Sequence, residues 1–288
     1  MNLLLLALVP ACFALNPIIG RAMADAFGPA SLSVIRWAFS AAIVAVLALS
    51  RGRSERWQAP GGHILRVGTL GALGMGFCAY AAFAGARTSP ATNIALIYGC
   101  TSAFVAAWEI AAGRQELKAT LVCGIAACLA GVVLIVTRGH PEVLQNLSFT
   151  PGDLWATAGM FVFVIYTVML RRMPAVLTPL PQFTIMSFGA TLAVLPFAGA
   201  EISGNTPVIE LWMVPWLVAA VLAAGIGAFL GYNIALKRNG PVLTSAALTL
   251  TPVYAAGLAM VLIGEQLAWY HGAALVLVVA GLLLVNKS

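Results

Sequence analysis

Asn16 lies between two prolines in an otherwise apolar stretch, "VPACFALNPIIGRAM", at residues 9–23. Proline has no backbone N–H and crowds the carbonyl four residues earlier, so Pro10 and Pro17 are expected to bend a helix and free carbonyl groups. Inside a membrane, such groups are tolerated where protein or a wet cavity meets them. The Asn16 amide could donate to a freed backbone carbonyl or bind a solute. The alternative is that it only caps or joins helices.

Arg36 lies inside the next apolar segment, at residues 30–49. Its position is roughly 9 Å along a helix from the start of that segment. Charged side chains at such depth face a cavity or a partner, and a guanidinium could hold a solute carboxylate through two parallel hydrogen bonds. The alternatives are snorkelling to the headgroups and a structural contact with helix-end carbonyls.

Amphipathic side chains recur in several other apolar segments. A tyrosine ring with its hydroxyl suits a solute that is part apolar and part polar. The same residues could equally be interfacial anchors or ordinary packing. Besides Asn16 and Arg36, the candidates for solute binding are Tyr80, Asn93, Tyr98, Tyr166, Tyr232 and Asn233, and the candidate hinges are Pro10, Pro17 and Pro252.

Other reactive residue types are sparse in the apolar segments. Glu109 is the only acidic residue inside one, near its end, and the three histidines fall in loops or at segment ends. The five cysteines form no CxxC pair. We therefore expect no catalytic cluster, no metal site and no cofactor, so the chain is not expected to be an enzyme. No GxxxxGK[ST] sequence occurs, so we also expect no ATP hydrolysis by the chain itself.

The composition is that of an integral membrane protein. Of its 288 residues, 61% are hydrophobic and 8% are charged, with a mean hydropathy of +0.98, whereas a soluble domain is about half apolar and about a quarter charged. A cleaved signal peptide is an alternative for the first segment, but no basic region precedes it and its apolar run continues past Cys12. Ten segments are long enough to span a bilayer: 3–24, 30–49, 64–86, 91–112, 118–137, 153–170, 178–198, 211–236, 241–263 and 267–285.

Positive charge is distributed unevenly between the two sets of loops. With the N-terminus inside, the inner loops and helix ends hold Arg51, Arg53, Arg56, Arg66, Arg114, Lys118, Arg171, Arg172, Lys237, Arg238 and Lys287, and the outer side holds Arg21, Arg87 and Arg138. The positive-inside rule therefore predicts that both termini are cytoplasmic, in the inner (plasma) membrane. The net charge of +6 is thus a topology signal and does not indicate nucleic-acid binding.

The chain also repeats itself. "GMG" at 74–76 matches "GIG" at 225–227, and "RTSPATNIAL" at 87–96 matches "RNGPVLTSAA" at 238–247, both 151 residues apart. Because each copy holds five helices, the second must enter the membrane from the opposite side, which is the usual architecture of secondary transporters. The prediction is an all-α membrane protein of ten helices in two inverted repeats around a central cavity, with halves at 1–137 and 153–288 joined by a linker at 138–152.

Several of these stretches resemble one family. "ALNPIIGRAM" followed by "GPASLSVIRW" is similar to the first two helices of the EamA type of the drug/metabolite transporter superfamily. "LTPVYAAGLAMVLIGEQL" at 250–267 resembles its Pro-containing helix that ends in Gly-Glu, and "AGLLLV" at 280–285 its closing helix. The first repeat departs from the pattern, since Thr101 and Arg114 stand where the second repeat has Pro252 and Glu265.

The resemblance implies a ten-helix exporter of small metabolites, with the bilayer and a small solute as its partners. Within the superfamily, amino-acid exporters of the YddG type are the preferred neighbours, so we expect export of aromatic or other neutral amino acids. Exporters of drugs, cations or nucleotide-type metabolites from the same superfamily are the alternative, and a channel-like permease is another. The chain is expected to be a monomer or a homodimer.

Overall fold

The described parts of the chain form ten helices in the order that the sequence predicts. The computed structural model describes residues 3–52, 55–89, 97–137, 139, 140, 142, 150–204, 209–263 and 268–287. Within them, the all-α fold is confirmed. The helices are α1 (Leu3–Ala22), α2 (Pro29–Ser50), α3 (Gly61–Gly85), α4 (Thr101–Ala111), α5 (Ala119–Val136), α6 (Pro151–Arg172), α7 (Pro179–Gly204), α8 (Leu211–Asn239), α9 (241–263) and α10 (Trp269–Asn286).

Six of these helices are long and apolar enough to cross a membrane, namely α2, α3, α6, α7, α8 and α10. Shorter apolar helices lie in α1, α4 and α5. Large apolar side chains such as Leu4, Phe39, Val46 and Leu154 point outward, which is the arrangement expected where lipid is the solvent. The chain is therefore a multi-pass membrane protein.

Helix starts follow local sequence. Helices α2, α6, α7 and the first segment of α9 (Pro241–Ala247) begin with proline, whose fixed φ suits a first helical position and whose missing N–H costs nothing there. The start of α6 is also tied to its own first turn, because the Thr150 N–H donates to Asp153 Oδ2 at 2.6 Å. Ser89, beyond the end of α3, donates to the other Asp153 oxygen.

Helices α2 and α7 form an antiparallel pair that is bonded at both ends. Glu201, near the end of α7, accepts from the Ala30 and Ser31 amides at the start of α2, at 3.0 and 2.9 Å. At the other end, Thr178, just before α7, donates to Glu55 beyond the end of α2. A carboxylate at a helix N-terminus satisfies orphan amides and complements the helix dipole. Helix α7 extends past its predicted end at residue 198, and this extension carries Glu201.

Helices α5 and α10 form a second antiparallel pair with small residues at the interface. Gly124 packs against Gly281, and Gly131 packs against Ala274. Gly124 and Ala274 are 150 positions apart, and so are Gly131 and Gly281, so the repeat register relates the first contact to the second. Equivalent helices thus meet each other while running in opposite directions, as an inverted repeat requires. The exact half boundaries and the linker stay a prediction, since most of residues 138–149 lie outside the described residues.

The two repeats also share a local irregularity. Helix α3 contains a π-helical segment at Ala72–Phe77, and α8 contains one at Ala220–Leu230. Shifting the first by 151 residues places it inside the second. Wide turns of this kind recur at functional sites, because they alter which carbonyl groups face a neighbour. Both segments lie in the middle of their helices.

The two ends of the bundle differ in charge. We call the end where α1 begins and α10 ends the terminal face, and the other end the opposite face. The loops at the terminal face carry most of the described basic side chains, and Glu109 of α4 pairs there with Arg172 of α6 at 3.5 Å. Lys237 Nζ also donates to the Met173 carbonyl at 2.6 Å. These contacts tie α4, α6 and α8 together at this face.

The close contact of α5 with α10 predicts a helix-specific effect on stability. A Cβ at Gly281 would lie 2.6 Å from the Gly124 carbonyl oxygen and from Cys128 Sγ. We expect Gly281→Ala to destabilise the detergent-solubilised protein by about 1–3 kcal/mol, as overpacking usually does. The matched control is Gly272→Ala in the same helix, where a Cβ meets nothing within 4 Å. Equal thermal unfolding midpoints for the two variants would contradict the contact.

The charge difference between the faces predicts an orientation. Ala175 is exposed at the terminal face and Ile209 at the opposite face. In intact cells, a membrane-impermeant maleimide should label Ile209→Cys and leave Ala175→Cys unlabelled until the membrane is opened, since positive loops stay inside. The native protein, labelled in parallel, gives the background from its own cysteines. The reverse pattern would refute the cytoplasmic termini.

Candidate functional site

The first part of the candidate site is the amide of Asn16 in α1. Pro17 has no N–H, so the Phe13 carbonyl lacks the partner that an ordinary helix would supply. Asn16 Nδ2 lies 3.3 Å from that oxygen and donates to it. Asn16 Oδ1 accepts from Arg36 Nη1 at 2.6 Å. The amide therefore joins a backbone group freed by proline to the buried charge of α2.

Arg36 is held between α1 and α8. Its side chain is fully enclosed, with 1% of the residue exposed, and Nη2 donates to the Ala224 carbonyl at 2.6 Å. Ala224 belongs to the π-helical segment of α8 and lies near the middle of that helix. The guanidinium thus reaches deep into the bundle and does not snorkel.

A close approach of α2 to α8 makes these contacts possible. Ser40, one turn after Arg36, donates to the Val221 carbonyl of the same π-helical segment at 3.3 Å. A Cβ at Gly225 would lie 2.6 Å from Ser40 Oγ, so glycine is needed for the helices to meet. Two α2 side chains thus satisfy two carbonyl groups of the wide turn.

Aromatic rings surround the guanidinium. Its Cζ atom lies 4.3 Å from the ring centre of Trp37, 5.3 Å from that of Phe229 and 6.0 Å from that of Phe83. Arginine carries five N–H donors, and its Nε is buried without a hydrogen-bond partner among the described residues. All its described partners are neutral. The guanidinium is therefore a buried charge without a described counter-ion, and it lies beside an apolar, aromatic wall.

A second buried polar group joins α6 to α8. Tyr166 donates to Asn233 Oδ1 at 2.5 Å, and Thr167 and Tyr232 share a hydrogen bond of 2.7 Å. Asn233 Nδ2 lies 3.9 Å from Met186 Sδ of α7. Tyr166 and Tyr232 are completely buried in the largest core cluster. The structure thus brings three of the predicted residues together, in the half of the bundle nearer the terminal face.

These two groups are equivalent positions in the two repeats. Tyr166 lies 150 residues after Asn16, and Met186 lies 150 residues after Arg36. Arg36 donates to the π-helical segment of α8, and Asn16 accepts from Arg36. Tyr166 packs on Gly74, inside the π-helical segment of α3, and Met186 packs on Gly71 just before it. The scaffold is repeated, while an amide and a guanidinium in one half become a phenol and a thioether in the other.

The remaining candidates lie apart from Arg36. Tyr98 is partly buried beside Gly159 of α6, and its buried hydroxyl has no hydrogen-bond partner among the described residues. Tyr80 packs against Trp155 and Phe197, two partly outward-facing rings. Asn93 lies outside the described residues. The solute-binding role of each candidate stays a prediction.

The predicted hinges differ in their local structure. Helix α1 remains continuous through Pro10 and Pro17. In α9, by contrast, a 3-10 turn at Leu248–Leu250 comes directly before the segment that contains Pro252. The Thr251 N–H donates to the Leu248 carbonyl, which is the group that an N–H at position 252 would bond in an α-helix. Proline thus explains the tightened turn, and α9 has an irregular point there.

A pocket of about 560 Å³ opens at the opposite face. Gly20 of α1, Leu32 of α2 and Phe83 of α3 line it together with Asp25, Phe27 and Arg87. We call it the vestibule. Gly20 and Leu32 lie one turn from Asn16 and Arg36, so the vestibule stands next to the Arg36 site on the same helices.

Sequence reasoning missed several of these groups. Trp37, Phe83 and Phe229 look like ordinary core residues in the sequence, and Met186 carries no polar signal. The register of 150 residues, applied to Asn16 and Arg36, would have found Tyr166 and Met186 as their equivalents. The carbonyl of Ala224 had no such signal, because only the π-helical turn presents it to Arg36.

Comparison with known proteins identifies the family. A model of the EamA-like transporter family matches residues 1–137 and 150–287. The proteins provisionally named multidrug resistance protein MdtD in Salmonella paratyphi B and Salmonella heidelberg are each 28% identical over 130 residues, which is 45% of this chain. That match spans only 24% of either relative's length.

The fold is also found among solved structures. One, described simply as the crystal structure of a protein, matches with a TM-score of 0.75 at 19% identity, over 97% of this chain and 95% of the other. The similarity to a known fold thus extends over nearly the whole chain, as the family match does over both repeats. The chain belongs to the EamA-like transporter family of the drug/metabolite transporter superfamily.

Proposed function

We propose that this transporter exports amino acids with aromatic or other neutral side chains across the bacterial inner membrane, by alternating access. The observation that supports the proposal is the environment of Arg36. It is a fully buried guanidinium whose described hydrogen-bond partners, the Asn16 amide and the Ala224 carbonyl, are both neutral. A membrane transporter of small molecules has a use for such a charge, because a solute can supply the missing anion.

The energetics favour a carboxylate ligand. A buried charge is costly unless it is paired, and no ion pair joins Arg36 to a described acidic side chain. A carboxylate from the solute would neutralise it and accept from the N–H groups that the recorded hydrogen bonds leave free. Trp37, Phe83 and Phe229 would contact the apolar part of the same solute.

The two equivalent polar groups support alternating access. The Asn16–Arg36 contact joins α1 to α2 nearer the opposite face, and the Tyr166–Asn233 contact joins α6 to α8 nearer the terminal face. In our proposal each contact opens in turn, while the pairs α2–α7 and α5–α10 keep their close packing. A solute carboxylate would compete with Asn16 for Arg36, and this competition would couple solute binding to opening toward the opposite face.

Export of cationic drugs is the second candidate, because the relatives that match part of the chain carry a multidrug resistance name. A positively charged solute would meet the uncompensated charge of Arg36, which disfavours it electrostatically. The two candidates therefore predict opposite effects of removing that charge. Loss of Arg36 should impair transport of carboxylates and improve that of cations.

The first functional prediction removes the Arg36 charge and keeps the side-chain volume. Arg36→Met places at this position the residue that the second repeat has at 186. We expect affinity for an amino acid to fall about 10- to 150-fold, since a charge-assisted contact contributes about 1.5–3 kcal/mol. Affinity for the matching amino-acid amide, which is a cation, should stay the same or rise, because the repulsive charge is removed. Competition against a labelled amino acid in proteoliposomes measures both values.

Arg36→Lys is the control for charge without geometry. It keeps the positive charge and loses the planar fork, so we expect partial recovery of the preference for carboxylate over amide. If Arg36→Met lowers the affinity for acid and amide equally, the arginine is structural and the carboxylate proposal fails. If cations alone are transported by the native protein, the second candidate replaces the first.

Pro252 gives a prediction about rate. Pro252→Ala restores an N–H that can bond the Leu248 carbonyl and convert the 3-10 turn to a regular helix. If α9 bends at this point during transport, turnover should slow more than solute affinity falls. Pro196→Ala, inside α7, is the matched control. It should not slow turnover, because α7 is held by carboxylates at both ends. Normal turnover of the Pro252→Ala protein would contradict a hinge at this position.

A further inference from the structure

We propose that the vestibule is a second solute site, which binds the exported molecule as a dipolar ion through Arg87 and Asp25 before release. The inference rests on the proposed function for the identity of the solute. It adds a separate site at the opposite face, next to the Arg36 site and lined by different charged residues. The ligand class is a small molecule that carries a carboxylate, an ammonium group and an apolar side chain.

The position of the vestibule suits an exit site. Phe83 lines the vestibule, and its ring centre lies 6.0 Å from the guanidinium carbon of Arg36. Gly20 also lines it, and a Cβ there would lie 3.0 Å from the Phe83 ring. The same ring therefore borders both sites. If the contact between Asn16 and Arg36 opens, a solute leaving Arg36 has the vestibule beside it.

Arg87 is positioned as an anion-binding group. Its Nη2 donates to the carbonyls of Ala24 and Phe27 at 3.3 and 3.2 Å. These bonds hold the guanidinium against the turn between α1 and α2 and leave its other N–H groups without a recorded partner. The residue is exposed and lines the vestibule. A fixed guanidinium with free donors suits a carboxylate.

Asp25 provides the opposite charge on the same turn. It is exposed and lines the vestibule, and no ion pair joins it to a described side chain. Its carboxylate and the Arg87 guanidinium therefore do not neutralise each other directly. One anionic and one cationic group in a single pocket are complementary to a dipolar ion and would discriminate against a solute with one charge.

The rest of the pocket suits an apolar side chain of limited size. Phe27, Leu32 and Phe83 provide the apolar surface. The volume of about 560 Å³ lies within the range of about 300–1,000 Å³ that small-molecule pockets have. A free amino acid and the headgroup of a zwitterionic phospholipid share the charged groups that would bind here, so the test must separate them.

The test follows the reactivity of a cysteine placed in the vestibule. Ala86 lines the pocket, and Ala86→Cys in nanodiscs of phosphatidylglycerol should react with a maleimide more slowly as L-phenylalanine is added. Nanodiscs expose both faces, so membrane orientation does not matter. Glu210→Cys, exposed at the same face beyond the vestibule, is the control and should not be protected. The native protein gives the background rate.

Two neutralising variants in the Ala86→Cys background assign the charges. Asp25→Asn should raise the half-protecting concentration of L-phenylalanine about three- to tenfold and should not raise that of N-acetylphenylalanine, an anion with no ammonium group. Arg87→Gln should have the same effect on L-phenylalanine and should not raise the half-protecting concentration of phenylalaninamide, a cation with no carboxylate. Protection should weaken as salt is added, because exposed charges are screened.

Several outcomes would overturn the proposal. They are no protection by L-phenylalanine, equal protection of Glu210→Cys, or equal effects of both variants on all three compounds. Protection of Ala86→Cys by phosphatidylethanolamine nanodiscs, without added amino acid, would assign the pocket to a lipid headgroup instead. The assay requires no transport, so its result is separable from the proposed function. Amino-acid flux without protection of Ala86→Cys would refute the vestibule site alone. Protection without flux would refute the proposed export function alone.

Discussion

The structure depends on one constraint, which is that polar groups inside a bilayer must find partners within the protein. Pro17 leaves the Phe13 carbonyl unpaired, and Asn16 satisfies it with one end of its amide. The other end meets Arg36, and Arg36 in turn meets a carbonyl in the π-helical segment of α8. Three helices are thus joined by polar groups, each of which would be costly to bury without a partner. The binding site that we propose is the remaining, unsatisfied part of this chain of contacts.

The two repeats use one scaffold for different chemistry. Each places a residue of its first helix and a residue of its second helix near a π-helical segment of the other repeat. In the first repeat these residues are Asn16 and Arg36, and in the second they are Tyr166 and Met186. An exact repeat would make the two membrane sides equivalent. The charge present in one half and missing from the other makes the sides unequal, and we infer that this inequality contributes to a preferred direction of transport.

Small residues decide which helices stay together. Gly281 meets Gly124, and Gly189 meets Gly68, at distances that a side chain would prevent. Close backbone packing gives dispersion contacts that lipid cannot replace. The α5–α10 and α3–α7 contacts are of this kind, whereas Pro252 interrupts the regular hydrogen bonding of α9. Close packing at these contacts and an irregular point in α9 would suit the alternating access that we propose.

The sequence by itself determined the class and much of the architecture. The hydropathy pattern located ten helices, since each must be apolar over a membrane thickness. The repeat register and the odd number of helices per repeat predicted antiparallel equivalents, and the contacts of Gly124 and Gly131 agree. The depth of Arg36 and the proline beside Asn16 marked both residues as unusual, because charges and free carbonyls are costly in lipid.

Only the tertiary structure decided which of those residues meet. Periodicity cannot show that Arg36 reaches Asn16 and Ala224, because the three come from different helices and their contact depends on a π-helical turn. For the same reason, it could not separate the buried Tyr166–Asn233 contact from Tyr80, which packs among outward-facing rings. Arg87 and Asp25, assigned to loops by the sequence, share a pocket because the turn between α1 and α2 lies beside the end of α3. Sequence fixes which groups need partners, and packing decides where those partners are.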